Sequence, residues 1–165
     1  MDASIPSPDG TVPDSPGVYV KPPRIFQLCL VAGLILEYAI PTAIPAIPKT
    51  ARLVSGAALA AAGFAFMMWG HTLFTKLGVS VKTILPASRL VTAGAYRRSR
   101  NPMYVGFLAI LVGLGLALGS VWMVLTTVPM ALYLGLYVVP REEAYLARRF
   151  GPDYETYRRN VRRWL

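Results

Sequence analysis

Long apolar stretches separated by short polar segments dominate the chain from Ile25 onward. The longest runs from Met103 to Pro140, which is 38 residues without a charge. As a helix it would be about 57 Å long, roughly twice the hydrocarbon thickness of a bilayer, so we expect it to cross a membrane twice. Gly119 and Ser120 lie near its middle and predict the turn, because glycine tolerates the dihedral angles that a reversal needs.

Two further apolar runs complete the pattern. One is uncharged over the 22 residues from Leu53 to Phe74. The other is interrupted by Glu37 and ends in three prolines, which remove backbone donors and predict a kinked or extended end. We therefore predict an all-α fold, an integral membrane bundle of about four transmembrane helices at about 25–47, 53–74, 103–118 and 121–139.

The composition agrees with a single membrane domain. Hydrophobic residues make up 55% of the 165 residues, more than a soluble domain of this length needs to fill its core. Cys29 is the only cysteine and His71 the only histidine. The sequence therefore excludes a disulfide within the chain and a metal site built from several cysteines or histidines.

The position of the basic residues predicts the orientation. The net charge is +9, but only Lys49 and Arg52 of the 17 lysines and arginines lie between the first two predicted spans. The other 15 lie before the first span, between the second and third spans, or after Pro140. The positive-inside rule then places both termini and the loop 75–102 in the cytoplasm. With apolar spans to explain the basic segments, we expect no nucleic-acid partner.

Both ends of the chain differ from the apolar centre. Residues 1–22 are rich in proline and contain almost no apolar run, which predicts a disordered cytoplasmic tail. They lack the basic start and apolar centre of a signal peptide. Near the other end, Tyr154, Tyr157, Val161 and Trp164 recur at helical spacing among arginines. This pattern predicts amphipathic helices over 141–164, lying along the cytoplasmic membrane interface.

Polar chemistry concentrates just before the third span and after the fourth. Asn101 and Pro102 predict a capped helix start, whose free amides favour an anion. The alternative is a capped helix with neighbouring arginines holding lipid phosphates. About 40 residues later, Glu142 and Glu143 form an acidic pair. A carboxylate pair at a helix N-terminus can also serve simple capping and helix-dipole complementarity.

These segments together resemble the superfamily of isoprenylcysteine carboxyl methyltransferases and phospholipid methyltransferases, membrane enzymes that use S-adenosylmethionine. The resemblance rests on several short motifs, which read Leu85-Pro86, Leu90-Val91-Thr92-x-Gly94-x-Tyr96-Arg97, Arg100-Asn101-Pro102-Met103-Tyr104-x-Gly106, Glu142-Glu143, Phe150-Gly151-Pro152-Asp153-Tyr154 and Tyr157. Isoprenylcysteine enzymes usually have a histidine where this chain has Asn101. Many also carry an arginine near the position of Val138.

The resemblance implies that residues 23–165 form a membrane methyltransferase domain, with its active site at the cytoplasmic face of a bacterial inner membrane. It implies S-adenosylmethionine as the cofactor and no metal. The implied cofactor-binding residues are Tyr96, Arg100, Asn101, Pro102, Tyr104, Gly106, Glu142, Glu143 and Tyr157. The implied catalytic residues are Glu142, Glu143 and Arg141. In the family the paired glutamates lie at the cofactor site, where a carboxylate can hold amino or ribose groups.

The expected acceptor is a lipophilic or prenylated small molecule, because the motifs lie where basic segments meet apolar spans among membrane lipid. An isoprenylcysteine carboxyl methyltransferase-like activity is the first expectation. Phosphatidylethanolamine N-methylation and small-thiol methylation are alternatives, and an NADPH-dependent membrane reductase or a non-catalytic membrane scaffold stay open. An amine acceptor must lose a proton, for which Glu142, Glu143, Tyr104 or His71 are candidates. Glu37 has either a polar contact or a place near the interface.

Overall fold

The computed structural model describes residues 15–44, 47–78 and 87–165, and all regular elements in these ranges are helices. This confirms the all-α prediction for the described part of the chain. The α-helices are α1 (Pro22–Ala39), α2 (Lys49–Lys76), α3 (Pro102–Leu118), α4 (Val121–Phe150) and α5 (Pro152–Asn160), and a short 3₁₀-helix spans Gly94–Arg97.

Helices α2 and α4 are long and apolar enough to cross a membrane, and α3 is a shorter apolar helix. In α4 the uncharged part, residues 121–139, is the part that would cross, and the charged residues from Arg141 onward lie beyond it. Large apolar side chains such as Leu28, Ile35 and Phe64 are exposed on α1 and α2. Such faces fit a lipid environment, which supports a membrane protein. The number of four crossings stays a prediction.

Two helix ends differ from the prediction. Helix α1 ends at Ala39, well before residue 47, because Pro41 disfavours helical geometry in the residue before it. Helix α4 continues to Phe150, through Pro140, where the uncharged run suggested an end near 139. The six residues Tyr133–Val138 adopt a wider π-helix that ends two residues before Pro140, and a wider turn leaves room for a proline ring that a regular α-helix would not accommodate. The helix of the first predicted span therefore ends early, and the helix of the fourth continues past the uncharged run that would cross the membrane.

Helices α2 and α3 pack with their backbones in contact along a row of glycines. Gly56, Gly63 and Gly70 are the buried residues of α2. A Cβ atom added at Gly56 would lie 2.5 Å from the carbonyl oxygen of Gly113, and one added at Gly106 would lie 2.6 Å from that of Gly63. Small residues allow this close approach, which stabilises helix pairs where lipid supplies no hydrophobic drive. The row fixes α3, whose first turn carries site residues, against α2.

The predicted turn between the third and fourth spans is confirmed. Gly119 has φ +75° and ends α3, and the Ser120 hydroxyl oxygen caps α4 by accepting from the Met123 backbone N–H at 3.1 Å. The same hydroxyl donates to Glu37 at 2.6 Å. Glu37 also accepts from the hydroxyl and the backbone N–H of Thr42, at 2.7 Å and 2.9 Å. Glu37 therefore ties the end of α1 to the α3–α4 turn.

Near both ends of the chain, the described residues depart from the predicted boundaries. Val18 is 2% exposed and packs into the core, so the structured part begins before the predicted boundary at residue 22. Residues 1–14 of the predicted tail and residues 79–86 of the predicted loop, including Leu85 and Pro86, lie outside the described residues. The amphipathic helix ends at Asn160 rather than near 164, since Val161 is extended. Trp164 then packs against the core.

Candidate active site

The site begins at the N-terminus of α3. Asn101 occupies the N-cap position, as predicted, but its side chain makes no capping hydrogen bond, so that part of the prediction is wrong. Its amide Nδ2 instead donates to the backbone carbonyl of Arg163 at 2.9 Å. Its backbone N–H donates to the hydroxyl oxygen of the buried Ser99 at 3.0 Å. Asn101 therefore joins the start of α3 to the C-terminal tail.

Tyr104 and Glu142 bring the two motif segments together. Tyr104 lies in the first turn of α3, is 7% exposed, and donates its hydroxyl to Glu142 Oε1 at 2.6 Å. Burial, with a further contribution from Glu143, raises the pKa of Glu142 to about 7, although the hydrogen bond from Tyr104 acts in the opposite direction. Glu142 can therefore gain or lose a proton near neutral pH.

Glu143 lies in a different electrostatic environment. Its Oε1 accepts from Arg100 Nη2 at 2.7 Å and from Arg163 Nε at 3.0 Å, and its Oε2 accepts from Arg163 Nη2 at 2.6 Å. Burial acts to raise the pKa of Glu143, but the two arginines outweigh it and hold the pKa below its ordinary value. Adjacent glutamates thus differ: Glu143 stays an anion, while Glu142 can titrate.

Helix α4 runs through this pair, but its regular α-helical part after the π-helix begins at Val139 and has Glu142 in its first turn. Complementarity of Glu142 to the helix dipole is therefore still available. The two carboxylates also accept hydrogen bonds from side chains of other segments, which are Tyr104, Arg100 and Arg163, so helix capping alone does not account for the pair.

Arg100 is the most enclosed cation of the site. Its Nη1 donates to the backbone carbonyls of Val161 and Arg158, at 2.6 Å and 3.1 Å, and its Nη2 donates to Glu143. Its Nε is buried and has no hydrogen-bond partner among the described residues. Buried polar atoms are nearly always hydrogen-bonded, so an unpartnered donor of this kind suggests a place for an acceptor from a ligand.

Tyrosines attach α5 to this region. The hydroxyl of Tyr157 donates to the backbone carbonyl of Tyr96 at 2.8 Å. The Tyr96 ring packs against Phe74 of α2 with ring centroids 5.2 Å apart, and Tyr154 is 1% exposed in the same cluster. The 3₁₀-helix that carries Tyr96 is therefore held between α2 and α5, next to the start of α3.

Three of the predicted site residues have other observed partners. Gly106 faces α2, where an added Cβ would lie 2.5 Å from Met67 Cβ, and Pro102 packs near Gly70 of the same helix. Arg141 stacks over the ring of Tyr137, with its Cζ 4.3 Å from the ring centroid. The observed contacts of these residues are packing contacts, and their assigned roles in the site stay predictions.

Arg163 and Ser99 were not predicted as site residues. Arg163 belongs to the run of arginines in the predicted amphipathic helices, and nothing in the spacing distinguishes it from Arg162. His71 is exposed on α2. Within the described ranges, no group of three or more histidine, cysteine, aspartate or glutamate side chains could hold a metal ion.

Comparisons with known proteins identify related sequences. A family model described as phospholipid methyltransferase matches residues 51–153, more than half of the chain. An uncharacterized protein of Haemophilus influenzae is 38% identical over 63 residues, which are 38% of this chain and 100% of that protein. No solved structure matches the chain.

A protein-S-isoprenylcysteine O-methyltransferase of Schizosaccharomyces pombe is 40% identical over 75 residues, which are 44% of this chain. The match covers only 30% of the length of that enzyme. The family match contains both motif segments, from Arg100 to Tyr104 and at Glu142 and Glu143, and so confirms the resemblance in the sequence. The chain belongs to the phospholipid methyltransferase family.

Proposed function

We propose that the protein is an S-adenosylmethionine-dependent methyltransferase that acts on a lipophilic acceptor at the cytoplasmic face of a membrane. The observation that carries the proposal is the pairing of Tyr104 with Glu142 and of Arg100 with Glu143. These contacts join two segments separated by the apolar hairpin of α3 and α4. A scaffold would not need this charged pairing beside an unpartnered buried donor.

The chemistry of the donor set fits the proposed cofactor. S-adenosylmethionine carries a carboxylate, an amino group, a sulfonium centre and ribose hydroxyls. The unpartnered Arg100 Nε would donate to the carboxylate, and the Glu142 carboxylate would accept from the amino group or a ribose hydroxyl. One buried cationic donor and one partly buried carboxylate are therefore available for the two oppositely charged ends of an amino-acid group.

When bound, the cofactor supplies an electrophilic methyl group on a sulfonium sulfur. Arg100 and Glu142 would orient the bound groups, so their main contribution is positioning, and the buried tyrosines around them exclude water. Glu142 is ionised in part near pH 7 and would accept the proton that an amine or thiol acceptor must lose. A carboxylate acceptor would need no such step.

The neighbouring helices support a lipophilic acceptor. Helices α3 and α4 are apolar up to the residues that form the site. A hydrocarbon tail lying along them would contribute about 0.8 kcal/mol per buried methylene, so a few methylenes change affinity strongly. The family description points to a phospholipid amine as the acceptor. The Schizosaccharomyces pombe relative points instead to a prenylcysteine carboxylate. Each is a candidate acceptor.

The test is methyl transfer from labelled S-adenosylmethionine by the purified protein in detergent. Phosphatidylethanolamine, a farnesylated cysteine analogue and a small water-soluble thiol are compared at equal concentration. We expect label in one of the two lipophilic acceptors and loss of transfer in Glu142→Gln, with Tyr145→Phe as a control. Transfer to the soluble thiol alone would refute the lipophilic acceptor. Binding of NADPH in place of S-adenosylmethionine, measured by calorimetry, would refute the methyltransferase proposal.

A further inference from the structure

The last residues of the chain leave α5 and run along the start of α3. The Arg100 backbone N–H donates to the carbonyl of Arg162 at 2.9 Å, and Asn101 Nδ2 donates to that of Arg163 at the same distance. This tail lies beyond residue 153, where the match to the family model ends. The backbone of the tail is therefore fixed to the motif, and so is the point from which the Arg163 side chain extends.

Arg163 and Arg100 share one carboxylate unequally. Arg163 binds Glu143 in a bidentate manner, with Nε and Nη2 each donating to a different carboxylate oxygen. Arg100 reaches the same carboxylate with Nη2 alone. A carboxylate binds an arginine more strongly in the bidentate geometry than through one nitrogen, because two parallel charge-assisted hydrogen bonds form at once. Only one arginine can occupy that geometry on Glu143, and Arg163 occupies it.

The buried Nε of Arg100 has no partner among the described residues, as the unequal sharing of Glu143 would leave it. If Arg163 released Glu143, the carboxylate would be free to rotate and accept from both Nε and Nη2 of Arg100. The Nε donor would then be satisfied within the protein. It would no longer be available to a ligand.

We propose that Arg163 is a positioning residue, which holds Glu143 so that Arg100 Nε remains free to bind the carboxylate of the cofactor. The inference rests on the proposed function. The side chain of Arg163 is 44% exposed, so its own contribution to folding is small. Its effect should therefore appear in the affinity for ligands that carry a carboxylate.

The experiment measures the binding of two probes to the purified full-length protein. S-adenosylhomocysteine carries the amino-acid carboxylate, whereas 5′-methylthioadenosine has the same nucleoside and sulfur without it. We expect Arg163→Ala to weaken S-adenosylhomocysteine binding about tenfold or more, the scale of one lost hydrogen bond to a charged group, and to leave 5′-methylthioadenosine binding unchanged. Arg162→Ala is the matched control and should change neither, because its structural contact is through its backbone carbonyl.

Two further variants test whether Arg163 affects ligand binding through its contact with Glu143. Arg163→Lys should restore affinity only in part, since an ammonium is a point charge and cannot form the bidentate contact. In a Glu143→Gln background, Arg163→Ala should have no further effect, because no carboxylate is left to capture Arg100.

An unchanged affinity for S-adenosylhomocysteine in Arg163→Ala, or equal weakening of both probes, would overturn the inference. If Arg163→Ala does not fold in detergent, the binding of the same two probes is compared in Arg163→Lys and in the Glu143→Gln background, and those results decide. If the unaltered protein binds 5′-methylthioadenosine and S-adenosylhomocysteine equally well, the carboxylate site is absent and the inference fails alone. If it binds neither, the proposed function fails together with the inference.

Discussion

Replacing Tyr104 with phenylalanine removes one hydroxyl from the site and keeps the ring. That hydroxyl donates to Glu142 Oε1 at 2.6 Å, and Tyr104 is only 7% exposed, so water does not easily replace it. A hydrogen bond to a charged group contributes about 1.5–3 kcal/mol, and one pKa unit corresponds to about 1.36 kcal/mol. The pKa of Glu142 should therefore rise by about one to two units above its value of about 7 in the unaltered protein.

The direction of the pKa change follows from the protonation state of Glu142 that the hydrogen bond from Tyr104 stabilises. The Tyr104 hydroxyl stabilises the Glu142 carboxylate and so lowers its pKa, against the larger effect of burial. If methyl transfer needs ionised Glu142, activity rises as the pH increases through about 7 in the unaltered protein. In Tyr104→Phe the same rise should occur at higher pH. Relative to the unaltered protein, activity at pH 7 should then fall to between about a fifth and about a fiftieth, with recovery in alkaline buffer.

The assay is the initial rate of methyl transfer to the best acceptor, measured across the neutral and alkaline range. Tyr145→Phe is the matched control, because its buried hydroxyl accepts from the Ala87 backbone N–H at 2.8 Å and does not bond to Glu142. It should keep the original profile, and Glu142→Gln should abolish the rise. If the pH–rate profile of Tyr104→Phe has the same midpoint as that of the unaltered protein, the Tyr104 hydroxyl does not set the pKa of Glu142 and the prediction is refuted.

Two other predictions concern the fold and the orientation. Gly113→Ala would place a Cβ 2.5 Å from the Ala60 backbone nitrogen, and such overpacking should cost about 1–3 kcal/mol and lower the melting temperature in detergent. Gly135→Ala, whose nearest neighbour is 4.0 Å away, is the control, and equal melting of the two would contradict the close α2–α3 contact. In a protein lacking Cys29, cysteines at the exposed positions Leu118 and Arg97 should react from opposite sides of the membrane. Reaction of both from one side would contradict the four-span topology.

The helices that could be predicted are those whose signal is local. Helix α3 was expected at 103–118 and is observed at Pro102–Leu118, since an uncharged run bounded by Asn-Pro and Gly-Ser carries its own start and stop. The end of α4 was missed for the opposite reason. Pro140 is a local signal to stop, but the preceding π-helix accommodates it.

The site shows the same division. Motif resemblance identified Arg100, Tyr104, Glu142 and Glu143 without any coordinates. It could not assign Tyr104 to Glu142 or Arg100 to Glu143, because those pairings depend on how the α3–α4 hairpin brings the two segments side by side. It also gave the two glutamates a common role, whereas their surroundings move their pKa values in opposite directions.

The sequence by itself determined the helical class, the turn at residues 119–120 and the motif residues that meet at the candidate site. Each of these depends on residue type and spacing within a short segment. Only the tertiary structure decided that Glu142 can titrate near neutral pH, that Glu37 ties α1 to the α3–α4 turn, and that Arg163 rather than Arg162 grips Glu143. These properties arise from burial and from contacts between residues distant in the chain, which no local pattern records.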